Sequence, residues 1–158
     1  SSVKLLDIGS FPGGWSQVSS KIIISGKILA LDLENINKIK NVSFLQCDFL
    51  EINTQKKILQ FFSEGLDVIL SDMAANTTGN KSLDCIRTNQ LCKEVVEFSS
   101  KNLKKEGVLI SKVFMGEDFL EVKELAKSKF KKVQFFKPKA SRDESKETYL
   151  HCAVLKTL

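Results

Sequence analysis

Histidine, proline and paired cysteines are scarce in this sequence, and their scarcity excludes several kinds of protein. The chain has one histidine and two prolines among its 158 residues, and none of its four cysteines lies in a C-x-x-C pair. A structural zinc site takes four closely spaced Cys or His ligands, and a small secreted fold takes paired cysteines. We therefore predict no metal site and no disulfide framework, and we interpret the cysteines as reduced, mostly buried thiols. They are Cys47, Cys85, Cys92 and Cys152.

Long apolar runs, a leader-like N-terminus and low-complexity linkers are missing as well. A membrane span needs about 20 consecutive apolar residues, and a secretory leader needs a basic segment followed by an apolar one. A chain of this length with 42% hydrophobic residues can bury one core, so we expect a single domain over residues 1–158, located in the cytoplasm and without a membrane partner. The net charge of +5 and the pI near 9.0 favour a polyanionic partner.

Apolar runs of strand-like composition alternate along the chain with segments of helical period. We predict strands over Val3–Ile8, Lys27–Asp32, Val42–Gln46, Leu66–Ser71, Gly107–Phe114, Lys132–Phe136 and Thr148–Leu155. We predict helices over Gly14–Ser25, Ile52–Ser63, Asp84–Lys104 and Asp118–Lys129. This alternation is typical of an α/β fold, a parallel sheet covered by helices on both faces. A helix-free stretch, KPKASRDESKE, separates the last two strands, so we expect them to pair antiparallel.

A glycine turn and two acids stand at the ends of the first three predicted strands. In DIGSFPGGWSQV, Gly9 allows a tight turn, Gly13 and Gly14 let the backbone approach a ligand, and the following helix offers its N-terminal amides. Asp32 lies eighteen residues past Gly14, where nucleotide-binding sheets place an acid for ribose hydroxyls. Asp48 follows the third strand. Because the ligand site of such a sheet lies at the carboxyl ends of its strands, these residues indicate a nucleotide-type cofactor.

Two kinds of cofactor compete for this turn. A dinucleotide needs the G-x-G-x-x-G spacing to seat its pyrophosphate, whereas here Phe11 stands at the position of the middle glycine. This spacing disfavours a nicotinamide-dependent reductase. A ligand made of adenosine and an amino-acid tail uses the same ribose acid without a diphosphate cradle, and S-adenosylmethionine fits that description.

Lys112 interrupts the apolar pattern of the fifth predicted strand, in GVLISKVFMGE. A lysine is seldom fully buried unless a partner pairs with it, and burial can tune its amine for proton transfer. The ordinary interpretation is a strand-end lysine that extends its ammonium to water. The strand pattern alone leaves both interpretations open.

Six segments of the chain stand in an order that identifies a family. They are DIGSFPGGWSQV, LALDL, CDF, SDMAANTTGN, LISKVFMGE and KPKASRDESKETYL. Together they resemble the bacterial branch of the FtsJ (RrmJ, RlmE) family of ribosomal RNA 2′-O-methyltransferases, over essentially the whole chain. The resemblance implies a Rossmann-like, seven-stranded S-adenosylmethionine-dependent methyltransferase fold with an antiparallel last strand. It also implies S-adenosyl-L-methionine as donor and the ribose 2′-hydroxyl of a uridine in large-subunit (23S) ribosomal RNA as acceptor.

The resemblance further implies the residues of the site. Asp72, Lys112 and Glu147 match three catalytic residues of the family, with Lys112 in the place of the base that takes the hydroxyl proton. Asp72 and Glu147 would hold its amine in geometry. The implied cofactor-binding residues are Gly9, Pro12, Gly13, Gly14, Trp15, Asp32, Leu33, Asp48, Phe49 and Asp72. The implied partner is ribosomal RNA, within the large ribosomal subunit, and the enzyme is expected to act as a monomer.

The sequence leaves two interpretations open for each of several features. Four cations just before the last strand either neutralise RNA phosphates or lie in a solvated loop. These cations are Lys137, Lys139, Arg142 and Lys146. Trp15 either stacks on a base or packs the glycine turn, and Met73 either lines the cofactor pocket or only fills space. The fold also permits a noncatalytic RNA- or nucleotide-binding module, although the presence of the three catalytic matches argues against it.

One catalytic residue of the family has no match here. The family's first catalytic lysine lies upstream of the first strand, which this chain enters at Val3. Lys4 is a poor substitute, since it stands near the start of the strand, roughly 13 Å from the other end at the usual strand rise. We therefore expect a truncated form of a longer enzyme, one that binds S-adenosylmethionine and transfers methyl groups poorly.

Overall fold

A computed structural model describes residues 2–139 and 146–157, so Arg142 lies outside the described residues. The strands are β1 (Val3–Ile8), β2 (Gly26–Asp32), β3 (Val42–Gln46), β4 (Leu66–Ser71), β5 (Leu103–Phe114), β6 (Phe130–Phe136) and β7 (Glu147–Leu155). The helices are α1 (Gly14–Ile22), α2 (Ile52–Phe62), α3 (Lys81–Asn102) and α4 (Phe119–Lys129). The predicted alternation of strands and helices is confirmed.

The ends of some elements differ from the predicted ones. Helix α3 begins earlier than predicted, at Lys81, because the side chain of Asn80 accepts a hydrogen bond from Leu83 N at 3.1 Å and caps the helix. Helix α1 ends at Ile22 rather than at Ser25, since the backbone of the next residue is already extended. Strand β5 begins at Leu103, four residues earlier than predicted. Three of the added residues, Lys104, Lys105 and Glu106, are exposed. Strand ends of this kind carry too little apolar pattern for sequence-based assignment.

The seven strands form one sheet in the order β3-β2-β1-β4-β5-β7-β6. Ile8, Ser71 and Ser111 are lateral neighbours in β1, β4 and β5, so the carboxyl ends of these three parallel strands meet at one edge. Strand β7 runs in the opposite direction and places Glu147 beside Phe114 of β5, so its first residue reaches the same edge. The predicted antiparallel pairing of β6 with β7 is confirmed. Residues from four distant parts of the sequence are thereby brought to one edge.

The main core lies between the sheet and helices α2, α3 and α4. Alternate residues of β5 point into it and are buried, among them Leu109 and Val113. Helix α1 lies on the other face, where Ser16 contacts Asp7 of β1. Right-handed crossovers explain this division, because α1 returns the chain toward one side of the sheet and the other helices lead it toward the opposite side. Helices therefore cover both faces of the sheet, as predicted.

Three of the four cysteines are buried, Cys47 is half-buried, and all four are free thiols. The interpretation of these residues as mostly buried thiols is confirmed. None of the helices within residues 2–139 and 146–157 combines the length and the apolar character of a membrane span.

The packing of α2 generates a test of the core. Phe62, the last residue of α2, is fully buried, whereas Leu59 on the same helix is 42% exposed. Phe62→Ala is expected to lower the free energy of unfolding by about 3–5 kcal/mol, because it leaves a cavity between the helix and the sheet. Leu59→Ala, the control, should cost about 1 kcal/mol or less. Denaturant unfolding of both variants makes the comparison, and equal losses would contradict this placement of the core.

Candidate active site

The glycine turn after β1 brings two strand ends into contact. Gly9 has a left-handed φ of 71°, and a Cβ atom there would lie 2.9 Å from Met73 Cγ and 3.0 Å from Met73 N. Only glycine allows so close an approach of the β1 turn to the residue that follows Asp72. The N–H groups of Gly9 and Ser10 both donate to Leu31 O, at 2.9 and 3.0 Å, and this fastens the turn to β2.

Helix α1 begins directly after this turn. Gly13 is its N-cap residue with φ 119°, and Gly14 is the first helical residue. The first turn of the helix contains no acidic residue and receives no side-chain cap from Gly13. Trp15 points toward β7, where its ring centroid lies 5.5 Å from that of Tyr149. The structure therefore gives Trp15 a packing contact beside the turn.

The two predicted nucleotide-binding acids are held by backbone amides. Asp32 accepts hydrogen bonds from Phe11 N through Oδ2 and from Glu34 N through Oδ1, both at 2.9 Å. Asp48 accepts from Leu50 N through Oδ1 at 3.0 Å. A carboxylate with fixed backbone donors keeps one orientation, and its remaining lone pairs can accept hydrogen bonds from a ligand.

A cavity of about 640 Å³ lies at this edge of the sheet. Six of the predicted cofactor-binding residues line it, namely Gly9, Asp32, Leu33, Asp48, Phe49 and Asp72. The lining does not include the other four, which are Pro12, Gly13, Gly14 and Trp15. These four belong to the turn and to α1 beside the cavity. Met73 lines the cavity too, and it also packs against the core.

Helix α3 contributes one wall of the cavity that the sequence did not indicate. Arg87, Gln90 and Leu91 lie on this wall, and Ala74, Ala75 and Asn76 continue it along the loop after β4. Residues of a helix face carry no motif of their own, so only the packing of α3 against the sheet could reveal them. Cys47 also lines the cavity, next to Asp48, and burial raises the pKa of its thiol.

A lysine and two carboxylates meet beside this cavity. Lys112 Nζ lies 3.1 Å from Asp72 Oδ1 and 3.4 Å from Glu147 Oε2. The lysine side chain is only 13% exposed, and the two carboxylates are about one-third exposed, at 32% and 30%. The geometry brings the three predicted catalytic residues together, although Asp72 directly follows β4 and the other two lie in β5 and β7. The lysine is ion-paired rather than extended to bulk water.

Tyr149 is a fourth member of this cluster, and sequence reasoning missed it. Its hydroxyl donates to Asp72 Oδ1 at 3.0 Å and lies 3.4 Å from Glu147 Oε1. Burial, followed by the two neighbouring carboxylates, raises the pKa of this phenol above its ordinary value, so it remains a donor. The strand pattern could have indicated Tyr149, because a residue two positions after Glu147 in a strand points to the same face of the sheet. Its ring also stacks on Phe136, with centroids 5.8 Å apart.

Asp7 is an acid that the sequence analysis did not single out, and it interacts electrostatically with Asp72 and Asp32. It is completely buried on the α1 side of β1, where Ser16 Oγ donates to its Oδ2 at 2.6 Å. Its other oxygen, Oδ1, has no hydrogen-bond partner among the described residues. Burial is the main cause that raises the pKa of Asp7 to about 6; the charges of Asp72 and Asp32 act in the same direction, and Ser16 opposes them.

The loop before β7 is only partly described. Lys137, Lys139 and Lys146 are exposed, and Met115 N donates to Lys146 O at 2.8 Å. The basic loop follows Phe136, which pairs with Tyr149, and Lys146 directly precedes Glu147. The described residues contain no group of three or more His, Cys, Asp or Glu side chains placed to hold a metal ion.

The fold and this edge of the sheet define a class of protein, the doubly wound nucleotide-binding sheets of methyltransferases, in which only β7 runs antiparallel. Within that class, the chain belongs to the FtsJ-like methyltransferase family, whose model matches residues 2–155. It is 42% identical, over 98% of its own length and 76% of the relative's, to the ribosomal RNA large subunit methyltransferase E of Pelagibacter ubique. The family and the fold expected from the sequence are confirmed.

Solved structures agree with this assignment. A ribosomal RNA methyltransferase from Plasmodium falciparum superposes with a TM-score of 0.84 and 29% identity, over 97% of this chain and 86% of that one. Human methyltransferase-like protein 13, solved in complex with SAH, superposes with a TM-score of 0.73 and 15% identity, over 98% of this chain and 72% of that one. At this low identity the human protein supports the fold alone.

The buried carboxyl of Asp7 predicts an unusual dependence of stability on pH. Because burial raises its pKa from the ordinary 3.8 to about 6, protonated Asp7 favours the folded state below pH 4, and this contribution is lost as the pH rises through 6. Asp7→Asn should therefore stabilise the cofactor-free protein by about 2–3 kcal/mol at pH 7 and leave it nearly unchanged at pH 4.

Denaturant unfolding across this pH range measures the effect, with Asp84→Asn as a control of opposite sign. Hydrogen bonds from Thr78 hold the pKa of Asp84 below its ordinary value. The charged form of Asp84 therefore supports the fold, and Asp84→Asn should be most destabilising at neutral pH. If Asp7→Asn were neutral at every pH, the pKa of Asp7 would be the same in the folded and unfolded protein, and burial would not raise it.

Proposed function

We propose that the chain transfers a methyl group from S-adenosyl-L-methionine to the ribose 2′-hydroxyl of a uridine in 23S ribosomal RNA of the large subunit. One observation carries this proposal. Asp72 both lines the cavity and pairs with Lys112, so a single carboxylate joins the proposed cofactor pocket to the proposed base. A methyl donor and a proton acceptor must lie this close for an in-line transfer to a hydroxyl.

The cavity fits this cofactor in size and charge. Its volume of about 640 Å³ lies within the usual range of small-molecule sites, and Asp32, Asp48 and Asp72 give its walls negative charge. When bound, S-adenosylmethionine supplies an electrophilic methyl group on a cationic sulfonium. Asp32 would accept hydrogen bonds from the ribose hydroxyls and Asp48 from the adenine edge, while Asp72 would face the cationic centre. The glycine turn at Gly9 would let the ligand approach the backbone.

The ion-paired cluster would perform the proton chemistry. A ribose hydroxyl is a poor nucleophile and must lose its proton as it attacks, so Lys112, in its neutral form, would accept that proton at Nζ. Asp72 and Glu147 would hold the amine in one position, and Tyr149 would fix Asp72 through its hydrogen bond. This orientation restricts the amine to the direction from which the hydroxyl arrives.

The expected RNA partner suits the surroundings of the cluster. Lys137, Lys139 and Lys146 are exposed on the loop that leads to Glu147, and lysines of this kind neutralise phosphates. We propose that these residues hold the RNA strand on either side of the target ribose. The enzyme would act as a monomer on the large subunit in the cytoplasm.

The deciding experiment is methyl transfer from labelled S-adenosylmethionine to isolated large subunits and to naked 23S RNA, both lacking the modification, followed by mapping of the labelled nucleotide. A single 2′-O-methyluridine supports the proposal. Label on a base, or on no RNA at all while the cofactor binds, would replace it with another methylation or with a noncatalytic binding module.

The cofactor assignment predicts a loss of affinity in Asp32→Ala. Removing a carboxylate that accepts ligand hydroxyls leaves donors unpaired at about 1–3 kcal/mol, or roughly tenfold in affinity. Asp67→Ala is the matched control, because Asp67 also accepts from a backbone amide, Lys4 N at 2.9 Å, but at the opposite edge of the sheet. Calorimetry with S-adenosylmethionine should separate the two variants, and NADH should bind neither. Unchanged affinity in Asp32→Ala would remove this residue from the site.

The base assignment predicts a different pattern for Lys112→Ala. Cofactor affinity should be nearly intact, whereas the single-turnover rate of methyl transfer should fall by about 10²–10⁴-fold, the usual contribution of a positioned base. Lys4→Ala is the control, since Lys4 has a similar side-chain exposure of 12% and a carboxylate partner, Glu64 at 2.9 Å. A near-normal rate in Lys112→Ala would move the proton acceptor elsewhere.

A further inference from the structure

Helix α3 carries buried polar side chains that contact both catalytic strand ends. Thr88 and Asn89 are almost completely buried on α3, where most of the other buried residues are apolar. Asparagine is a weak helix former, and a buried amide without partners is costly, so its place in the middle of this helix requires polar contacts. The contacts that these residues make lie next to Asp72 and Lys112.

Asn89 binds the end of β5 through both ends of its amide. Its Nδ2 donates to Phe114 O at 2.9 Å and to Asp118 Oδ1 at 2.8 Å, and its Oδ1 accepts from Phe114 N at 2.7 Å. The last β4 residue paired with β5 is Ser71, opposite Ser111, so β4 does not reach the backbone groups of Phe114. The side chain of Asn89 replaces the missing strand for this residue.

Phe114 is linked to the proposed base, Lys112, both along β5 and through the neighbouring strand β7. It lies two residues after Lys112 in the same strand, and across the ladder it pairs with Glu147, which contacts Lys112 Nζ at 3.4 Å. The next residue, Met115, donates its N–H to Lys146 O at 2.8 Å. A shift of Phe114 would therefore move the lysine and one of its carboxylate partners together.

Two neighbours of Asn89 on α3 contact residues that lie close to Asp72 and Lys112 along the chain. Thr88 Oγ1 accepts from Ala75 N at 3.1 Å, in the loop that follows Asp72. Ser111 Oγ, one residue before Lys112, lies 3.4 Å from Cys92 Sγ. One helix thus holds the loop of the acid and the strand of the lysine at a fixed separation.

We propose that Asn89 is a positioning residue, which sets the position of Lys112 and Glu147 relative to Asp72 by tying the end of β5 to helix α3. The assignment rests on the proposed function, because it treats Lys112 as the base. A displacement of about 1 Å in such a group can cost up to 10²-fold in rate. Asn89 does not line the cavity, so its loss should affect the rate and leave cofactor affinity in place.

The first test uses Asn89→Asp, which keeps the acceptor for Phe114 N and sets a carboxylate against that of Asp118. The single-turnover rate should fall by about 10–100-fold with cofactor affinity retained. The double variant Asn89→Asp/Asp118→Asn should recover part of the loss, because the new amide at position 118 donates to the new carboxylate, although Phe114 O still lacks the donor that Asn89 supplied. Val95→Ala is the matched control, since Val95 is fully buried on α3 and belongs to the apolar core. It should lose stability and keep its rate below the unfolding temperature.

Two results would overturn the proposal. One is an equal loss of rate in Asn89→Asp and Val95→Ala, and the other is a double variant no faster than the single. If Asn89→Asp fails to fold, Asp118→Ala takes its place, because this half-buried residue supplies one partner of Asn89 and lies outside the core. It should show a smaller loss of rate in the same direction, and an unchanged rate would count against the proposal.

A second readout does not depend on methyl transfer. Acetic anhydride labels lysine amines, and mass spectrometry gives the labelling rate of each lysine. Lys112 should be labelled severalfold faster in Asn89→Asp than in the unmodified chain, because the Lys112 amine is no longer held between two carboxylates. Lys4, with nearly the same side-chain exposure and its own ion pair, should be unchanged.

These two readouts separate the possible failures. A chain that methylates no RNA but shows the change in Lys112 labelling would sink the proposed function and retain Asn89 as the residue that positions the lysine. Equal Lys112 labelling in the two proteins would overturn the role of Asn89 whatever the methylation result.

Discussion

A largely buried ammonium group needs anions beside it, and Lys112 has two, Asp72 and Glu147. The sheet must therefore bring these three residues together. Asp72 directly follows β4, and the other two residues lie in β5 and β7, so the pairing is possible only if these strands reach the same level at one edge. Parallel pairing aligns the ends of β4 and β5, and the reversed direction of β7 brings its first residue to meet them. Strand order, strand direction and the position of one cation are thus parts of a single constraint.

Asp72 connects two environments that a methyl-transfer enzyme must hold together. Its carboxylate belongs to the wall of the cavity and also accepts contacts from Lys112 and Tyr149. The tyrosine remains protonated because burial and its carboxylate neighbours raise its pKa, so it acts as a fixed donor. The cluster is therefore a hydrogen-bonded unit rather than an isolated ion pair, and side chains in such units keep one geometry. Asp7 is completely buried, and this burial, with the charges of Asp72 and Asp32, raises its pKa to about 6.

The local patterns of the sequence were sufficient for the framework and for part of the site. The order of strands and helices, the antiparallel last strand and the glycine turn follow from periodicity and from glycine and acid positions, because these depend on neighbours along the chain. Asp32 and Asp48 were predicted as site residues because Asp32 ends β2 and Asp48 lies two residues after β3. The family resemblance supplied Asp72, Lys112 and Glu147, which the structure then brings together within 3.4 Å. Roles in catalysis remain predictions until the variants are measured.

Only the tertiary structure decided which residues complete the site. The α3 wall with Arg87 and Gln90, and the amide of Asn89 bound to Phe114, join residues that are distant along the chain, and their contacts depend on how α3 packs on the sheet. In the structure Gly9 and Phe11 of the glycine turn line the cavity, whereas Pro12, Gly13, Gly14 and Trp15 do not. The sequence by itself determined which chemistry could gather at the edge of the sheet. Packing across the sheet determined which side chains reach it, because period and motif carry no information about distances between separate elements.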